Sequence, residues 1–395
     1  MSALPPTVPI RVPDGARDAA AAALKAVADL GSAVPDTDVR RYLSHGARQL
    51  RAHLPGELLQ ALAAWQHSGI PWLTLSNLPR SVHCVPTPRA GFCDEYTEER
   101  LKVPNLVQFG LLRLLGLDPV AYAWENEGRL IRNVAPSAGA ARTRTSWGHA
   151  CQLAWHTDDS VLEHGACAAP SAAIPHFLSF YGIRNAEGVP TELLPVDTVL
   201  AELPERVAGE LRRPQFAVKA PESYAPARGA HNLHLAHTSS YGTHIGTHTG
   251  APLGPYDPPG TATGGHIPHS ARSAPYAANV PYAANAPYPG GEPPVRTDVP
   301  LLWTLRDGGS ALRYGPGRVT GQTAWARAAL RWFEDCLAGL EGVSVLVGAG
   351  AFHLFDNRRV LHRRASFEPA PPGEARWLRR CYATRSRLRL AAPPL

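Results

Sequence analysis

The sequence predicts a mostly β fold with flanking helices, and short apolar runs that precede two histidines, His156 and His362, carry this prediction. Residues 152–155 lead into His156, and residues 343–347 and 352–355 precede Asp356. Short apolar runs that are bounded by polar and turn-forming residues are typical of strands. We interpret these runs as walls of one β-barrel.

Amphipathic helices precede the predicted barrel, over residues 16–64. Residues 16–30 are alanine-rich, and their larger apolar side chains recur at helical spacing. Residues 48–64 carry a second repeat of the same kind, formed by Leu50, Leu54, Leu58, Leu59 and Leu62. We expect both helices to pack against the outside of the barrel.

Two further helices are predicted within the remainder of the chain. Residues 105–115 form an apolar repeat that ends at Gly116, a common helix terminator. Residues 322–340 form the other, and their predicted apolar stripe consists of Trp325, Ala329, Trp332 and Cys336. We expect this stripe to face the core.

A low-complexity insertion of about residues 225–299 interrupts the predicted barrel. It is rich in Pro, Gly, Ala, Thr and His, with twelve prolines between positions 251 and 300. Such a composition buries too little apolar surface to offset the entropy of ordering, so we expect a flexible or lid-like segment. Its histidines either bind a second metal or are simply solvated. They are His231, His234, His237, His244, His248, His266 and His269.

Three residues outside the insertion form a candidate iron site. His156 and Asp158 are two positions apart, so in an extended strand both side chains point to the same side of the sheet. His362 supplies a second imidazole from a distant segment. Two histidines and one carboxylate on one face are the ligand set that holds a single Fe(II) and leaves positions open. Arg376 has the planar, permanently charged group that pairs with the distal carboxylate of a 2-oxo acid.

These residues lie in segments that resemble one enzyme family. Residues 155–159, 355–367 and 376–382 are similar to the corresponding segments of the clavaminate synthase-like branch of the Fe(II)/2-oxoglutarate oxygenases, which shares its barrel with taurine dioxygenase. The resemblance covers roughly residues 40–224 and 300–386. It implies a double-stranded β-helix core, also described as a cupin-like jelly roll. It also implies Fe(II), 2-oxoglutarate as cosubstrate, and O2.

The resemblance also implies roles for individual residues. Arg376 takes the position that binds the 2-oxoglutarate carboxylate, and Thr191, in the turn at 188–191, matches a second cosubstrate contact. Arg380 takes the position that commonly meets a substrate carboxylate. Glu125 and Glu127 lie about thirty residues before His156, where relatives place a group that recognises the substrate amine. The alternative for both acids is a solvated surface position.

The sequence departs from the family pattern beside two of the predicted ligands. Arg363 stands where the family usually has glycine, so it either points outward or binds an anionic substrate. The carboxylate ligand is Asp158, where this branch often has glutamate, and its presence argues against halogenation. Asp159 would face away from the iron in a strand, so we assign it a supporting or surface role.

Length and composition favour one catalytic domain, residues 1–395, in a reduced cytoplasmic protein. The six cysteines are scattered, and neither a secretory signal nor an apolar run of membrane-spanning length is present. The net charge of +6 suggests nucleic-acid binding as one alternative. However, only three of the 39 basic residues are lysines, and no aromatic-interleaved binding motif accompanies them. We therefore predict neither a nucleic-acid partner nor a membrane partner.

Three hypotheses for function follow. The first is a hydroxylase of an amino acid or a related carboxylate-bearing metabolite in specialised metabolism. The second is the same iron chemistry with desaturation or cyclisation as the outcome, or with a residue bound to a carrier protein or peptide as substrate. The third is a non-catalytic protein that binds metal through its histidines or nucleic acid through its basic residues. The substrate itself is not predicted.

Overall fold

Sixteen strands and eight α-helices make up the described part of the chain in this computed structural model. The described residues are 9–81, 85–89, 91, 93–122, 125–163, 174–221 and 295–385. Of the predicted insertion at 225–299, only the last five residues belong to these ranges, and its seven histidines lie outside them. The single-domain organisation therefore stays a prediction.

The elements follow one another in this order along the chain. The helices are α1 (Asp14–Ala28), α2 (Val39–His53), α3 (Gly56–Trp65), α4 (Glu95–Arg100), α5 (Lys102–Leu114), α6 (Val196–Glu202), α7 (Glu205–Leu211) and α8 (Ala324–Gly339). The strands are β1 (Ile10–Arg11), β2 (Trp72–Ser76), β3 (Leu117–Val120), β4 (Ile131–Val134), β5 (Leu153–His156), β6 (Phe177–Arg184), β7 (Thr191–Pro195), β8 (Phe216–Lys219), β9 (Val295–Val299), β10 (Leu302–Thr304), β11 (Ser310–Leu312), β12 (Val319–Gly321), β13 (Val343–Val345), β14 (Phe352–Asp356), β15 (Val360–Arg364) and β16 (Trp377–Arg385).

Two sheets position the candidate site. The larger has seven strands in the order β1-β2-β14-β6-β16-β3, with β4 also paired to β16. The smaller has four strands in the order β13-β7-β15-β5. Two small sheets, β10-β11 and β12-β8-β9, complete the set. The fold is thus mixed α/β with several sheets, and helices form a larger part of it than the sequence analysis predicts.

The seven-stranded sheet is apolar on both faces. One face, with Leu354 and Tyr181, shares a core cluster with the N-terminal helices. The opposite face, with Phe355 and Leu178, shares a second cluster with residues of the four-stranded sheet such as Leu193. Successive strand residues alternate between faces, so position along each strand decides which cluster a side chain enters.

One row of paired residues across the seven-stranded sheet places several polar side chains on the face that carries the second cluster. Arg380 of β16 pairs with Phe180 of β6 and with Arg132 of β4, and Phe180 pairs with His353 of β14. Cross-strand partners share a face. Arg380, Arg132 and His353 therefore lie on the same side of the sheet as Phe355.

The predicted N-terminal helices are present, but the second repeat is divided between two helices. Helix α2 ends at His53, and α3 begins at Gly56. Pro55 lies between them. Leu54, which precedes this proline, has an extended backbone with ψ of 146°. Proline lacks an amide donor and disfavours helical geometry at the preceding residue, which explains the break.

The apolar stripe predicted on α8 is correct at Ala329, which is buried, and at Cys336, which packs against the core, but it is wrong at its two tryptophans. Trp325 and Trp332 are 48% and 52% exposed. The buried face consists of Ala326, Ala329, Leu330, Phe333 and Leu337. The sequence contains two overlapping stripes at helical spacing, and the period alone does not determine which one packs against the core.

Membrane crossing is not supported by the helices in the described ranges. No helix there combines the length and the apolar character that spanning a bilayer requires.

Candidate active site

Strands β5 and β15 bring the two predicted histidine ligands together. They are antiparallel neighbours in the four-stranded sheet, and His362 pairs directly with His156. The two ring centroids are 4.1 Å apart. Asp158 follows the end of β5, and Thr157 between the ligands points away, where its hydroxyl accepts a hydrogen bond from the Tyr314 amide.

The three side chains converge on one point. Asp158 Oδ1 lies 3.3 Å from His156 Nε2 and 3.6 Å from His362 Nε2. One ligand atom from each residue falls within 4.8 Å of the others, as in a metal-binding cluster. The Nδ1 of His156 is 2.8 Å from the carbonyl oxygen of Ala154. A hydrogen bond there places the proton on Nδ1 and leaves Nε2 to bind a metal.

The electrostatics of this cluster favour the protonation states that bind metal. Burial alone would raise the pKa of Asp158, but the Arg380 guanidinium and the two histidines hold it well below its usual range. Burial lowers the pKa of His362 to about 3, with a further contribution from His156. The carboxylate is therefore ionised and the His362 imidazole neutral near pH 7, as metal ligation requires.

The second carboxylate oxygen of Asp158 has two hydrogen-bond donors. Arg380 Nη1 and the Tyr382 hydroxyl each donate to Oδ2 at 2.9 Å. Arg380 and Tyr382 are two positions apart on β16, so both face the triad. Burial raises the pKa of Tyr382 well above its usual value, so the phenol is protonated. Tyr382 was not identified from the sequence.

A buried acid lies on the other side of Arg380. Arg380 Nη2 donates to Glu125 Oε1 at 2.8 Å, and Arg132 Nη1 donates to the same oxygen. Glu125 is 5% exposed, whereas Glu127 is exposed and has a left-handed backbone with φ of 55°. Of the two acids proposed from the sequence, the structure brings Glu125 to the triad. Arg132, a neighbour of Arg380 in the sheet, was not identified from the sequence.

Arg376 is a buried cation without an acidic hydrogen-bond partner within the described ranges. It is 4% exposed, and its Nε has no hydrogen-bond acceptor there. Glu187 Oε1 accepts from the Arg376 backbone amide at 2.7 Å rather than from the guanidinium. Burial lowers the pKa of Arg376 to about 9, and the nearby Arg364 contributes to this shift. Two buried guanidinium groups close together form a site that an anionic ligand would stabilise.

Thr191 begins β7, in the same sheet as the histidines. Leu193, two residues later, pairs with His362. Residues two apart on a strand share a face, so Thr191 lies on the same side of the sheet as the triad histidines. Its side chain is buried, with 6% exposure.

The structure places Arg363 and Asp159, the residues that follow two of the predicted ligands in the chain. Arg363 is on the opposite face from His362, where it donates to Glu192 Oε2 at 2.7 to 2.9 Å and stacks over the Trp155 ring. It therefore points away from the metal cluster. Asp159 is 7% exposed with φ of 53°, so it has a buried rather than a surface position.

Asn357 connects the two ligand-bearing segments. Its Oδ1 accepts from the Asp158 amide at 2.8 Å, and its Nδ2 donates to the Asp158 carbonyl at 3.0 Å. Nδ2 also donates to the carbonyl of Pro175 at 3.2 Å. The side chain is fully buried. It connects the backbone of Asp158 to the turn that precedes β15, the strand that carries His362.

Comparison with known proteins identifies the family. The model described as "Taurine catabolism dioxygenase TauD, TfdA family" matches residues 107–382, which is more than half of the chain and includes all three triad residues. The chain belongs to this family. The TauD/TfdA-family protein is thus an Fe(II)/2-oxoglutarate-dependent oxygenase with a His156, Asp158, His362 triad, and Fe(II) and 2-oxoglutarate are its cofactors. The resemblance found in the sequence is confirmed.

Solved structures share the fold of this TauD/TfdA-family protein. An asparagine oxygenase in complex with Fe(II), 2S,3S-3-hydroxyasparagine and succinate is 20% identical, with a TM-score of 0.64 over 94% of this chain and 92% of that one. The non-heme iron oxygenase OrfP in complex with Fe and alpha-ketoglutaric acid is 18% identical, with a TM-score of 0.65 over 97% and 95%. A mutant of OrfP in complex with (3S)-hydroxy-L-Arg is 17% identical, with a TM-score of 0.66 over 97% and 95%.

Proposed function

We propose that this protein hydroxylates an unactivated carbon of a free amino acid, or of a closely related carboxylate-bearing metabolite, in specialised metabolism. The observation that carries the proposal is the buried pair of Arg380 and Glu125 next to the metal-binding Asp158. A guanidinium is complementary to a carboxylate, and a carboxylate is complementary to an ammonium group. Together they match the two charged groups of an amino acid.

Arg380 has N–H donors for a substrate in addition to those that bind its present partners. A guanidinium carries five N–H donors, and the contacts to Asp158 and Glu125 account for two of them. Glu125 accepts both arginine hydrogen bonds through Oε1, so Oε2 can accept from an amine. Arg132 donates to the same Glu125 oxygen as Arg380, so it helps to fix the orientation of the acid.

We assign the iron ligands as His156 Nε2, Asp158 Oδ1 and His362 Nε2. Three ligands on one face leave positions for a bidentate 2-oxo acid and for O2. Iron with 2-oxoglutarate and O2 supplies the oxidant for an unactivated C–H bond, and succinate and CO2 are the co-products. The chain supplies the ligands, the orientation of the substrate and a site from which water is excluded.

We assign the distal carboxylate of 2-oxoglutarate to Arg376, with Thr191 as a second contact. The buried Arg376 guanidinium has no acid hydrogen-bonded to it among the described residues, and Arg364 adds a second positive charge nearby. A dicarboxylate would compensate the cost of burying these cations. Thr191 faces the same side of the four-stranded sheet as His362, which supports its role.

The relatives support both the fold and the substrate class in this proposal. We infer a double-stranded β-helix core, in which the seven-stranded and four-stranded sheets form the two walls. The asparagine oxygenase complex holds 3-hydroxyasparagine with succinate, and an OrfP complex holds (3S)-hydroxy-L-Arg with Fe and succinate. Hydroxylated amino acids in these proteins make a free amino acid the first substrate class to test here.

An anaerobic titration with Fe(II) and 2-oxoglutarate tests the cosubstrate site. The wild-type protein should develop the weak visible charge-transfer band of an iron-bound 2-oxo acid. Arg376→Ala should need a higher 2-oxoglutarate concentration, by about 10- to 100-fold, because the carboxylate loses a buried ionic hydrogen bond. Absence of the band in folded wild-type protein would contradict the proposal.

Amino-acid turnover tests the substrate site, with Glu127 as a matched control for Glu125. Free L-amino acids are screened by succinate release, and the product of any hit is analysed by mass. We expect Glu125→Gln to raise KM for the amino acid at least tenfold, because the ammonium loses its ionic partner, and Glu127→Gln to leave it unchanged. Equal effects of the two variants would contradict the assignment of Glu125.

The mass of the product tests the type of reaction. A product that gains one oxygen supports hydroxylation, whereas a product that loses two hydrogens would indicate desaturation or cyclisation instead.

A further inference from the structure

The two oxygens of Asp158 lie in different environments. Oδ1 faces both histidine Nε2 atoms, at 3.3 and 3.6 Å. Oδ2 accepts two hydrogen bonds, one from Arg380 and one from Tyr382, both at 2.9 Å. A carboxylate beside a metal can bind through one oxygen or through both. Donors on Oδ2 compete with the metal for that oxygen and favour binding through Oδ1 alone.

The two donors, Arg380 and Tyr382, differ in how many other groups they bind. Arg380 divides its donors between Asp158 and Glu125, and it is also the residue that we assign to the substrate carboxylate. A bound substrate would therefore add to the groups that Arg380 contacts beside Asp158. The Tyr382 hydroxyl has Asp158 Oδ2 as its hydrogen-bond acceptor, and a phenol next to a carboxylate has to be the donor.

The surroundings of Tyr382 hold its hydroxyl in place without a ligand. The residue is 4% exposed and lies on β16, a central strand, where it pairs with Leu178 on one side and Val120 on the other. Its ring makes an edge contact with Tyr122 at 5.8 Å between centroids. The Arg380 guanidinium covers the other part of the ring, 4.1 Å from its centroid.

We propose that Tyr382 is a positioning residue that holds Oδ2 of Asp158 away from the iron, so that Asp158 binds the metal through Oδ1 alone. Tyr382 donates to Asp158 alone, whereas Arg380 divides its donors between Asp158, Glu125 and the substrate carboxylate that we assign to it. Binding through one oxygen keeps a coordination position open for 2-oxoglutarate or O2. The part that concerns Arg380 rests on the function proposed above, and the part that concerns Tyr382 does not.

Cobalt binding to the substrate-free protein tests this role without catalysis. Tyr382→Phe removes the hydroxyl and keeps the ring. We expect its Kd for Co(II) to rise by about 10- to 100-fold, the usual consequence of removing a hydrogen bond to a metal ligand. We also expect the visible d–d absorption of the Co(II) form to change, because the number of coordinating oxygens changes.

Tyr181→Phe is the matched control. Tyr181 lies on β6 of the same sheet, is 1% exposed, and donates its hydroxyl to the Pro79 carbonyl on the helix-covered face. Its loss should leave the Kd and the spectrum of Co(II) unchanged. A Tyr382→Phe protein with the wild-type Kd and spectrum would show that Tyr382 only fills the core and would overturn the proposal.

A second variant distinguishes loss of the hydrogen bond from a general loss of stability in Tyr382→Phe. Tyr382→His keeps a ring with an N–H donor, so it should recover part of the Co(II) affinity and of the wild-type spectrum if the hydrogen bond is the cause. A histidine variant no better than phenylalanine contradicts the proposal. The amino-acid screen is independent of these readouts. If no amino acid is turned over while Tyr382→Phe alters Co(II) binding, the proposed substrate fails and the role of Tyr382 stands.

Discussion

At the scale of single residues, the geometry of the metal site depends on groups that bind no metal themselves. Asn357 is the clearest example because its side chain pairs with both backbone groups of Asp158. This arrangement resembles the pairing of two backbone segments in a sheet, but one of the partners is an amide side chain. It fixes the position of Asp158 relative to β15, which carries His362.

Replacing Asn357 with alanine should weaken both the fold and the metal site. The variant loses three hydrogen bonds and leaves the buried backbone groups of Asp158 without partners, which costs about 3 kcal/mol in the free energy of unfolding. Urea unfolding of the metal-free protein measures this loss. The Kd for Co(II) should rise as well, because Asp158 is no longer held opposite the histidines.

Asn185 provides the control for that variant. Its amide also makes three hydrogen bonds to the backbone, with Val189 through both its oxygen and its nitrogen and with the Val347 carbonyl. Asn185→Ala should lower stability without changing the Kd for Co(II). If the two variants bind Co(II) equally well, Asn357 has no particular role at the triad.

The triad was predictable because its residue types and the spacing of His156 and Asp158 are dictated by coordination chemistry, whereas the role of Arg376 stays a prediction. His156 and Asp158 are neighbours on one strand, and that relation is visible in the sequence. Tyr382, Arg132 and Asn357 act through contacts with residues far away in the chain. Tyr and Asn occur in many roles, so neither residue type by itself indicated a function. The register of β16 against β4 and β6 places Tyr382 and Arg132, and hydrogen bonds to Asp158 place Asn357.

At the scale of elements, the helices on the outer face support the strand that carries Arg380 and Tyr382. Gln108 of α5 is fully buried, and its amide donates to the Ser179 hydroxyl of β6 and to the Arg379 carbonyl of β16, both at 3.1 Å. Helix α5 in turn packs closely on α2, where Gly46 faces Gly110. Gln108 therefore links the pair of α2 and α5 to β16.

Gly110→Ala should separate the two helices. A Cβ at this position would lie 2.5 Å from the Gly46 carbonyl carbon and 2.8 Å from the Ala47 amide nitrogen, and neither backbone atom can move independently. We expect a loss of about 3 kcal/mol in the free energy of unfolding, at the upper end for overpacked cores. Urea unfolding measures it.

Gly209→Ala in α7 is the contrasting control. A Cβ there meets no atom within 4 Å, and the position is exposed. Because alanine favours helix more than glycine does, this variant should gain about 0.5 to 1 kcal/mol. Similar losses in both variants would indicate that the effect is not caused by the contact between α2 and α5.

The elements themselves were predictable where the apolar period was long and a terminator was present. The third predicted helix, residues 105–115, corresponds to α5, and the fourth, residues 322–340, to α8. The division at Pro55 and the phase of α8 were not predicted. In α8 two stripes are possible, and only packing against neighbouring elements selects the one that contains Phe333.

At the scale of the whole molecule, burial of histidine side chains should make the metal-free protein sensitive to acid. Burial lowers the pKa of His353 to about 3, and those of His176 and His362 to similar values. The folded protein therefore stays unprotonated at these positions while the unfolded chain takes up protons near pH 6.5. Stability is fully present above pH 6.5 and falls as the pH decreases from 6.5 toward 3.

His353 isolates this effect because it does not bind the metal. It is fully buried on β14, with its Nδ1 2.8 Å from the Thr74 hydroxyl. One such histidine changes the free energy of unfolding by up to about 1.4 kcal/mol per pH unit. Urea unfolding at a series of pH values between 7 and 4.5 should give a slope shallower by about this amount for His353→Asn than for the wild-type protein. An unchanged slope for His353→Asn would show that this histidine is not the source of the acid sensitivity.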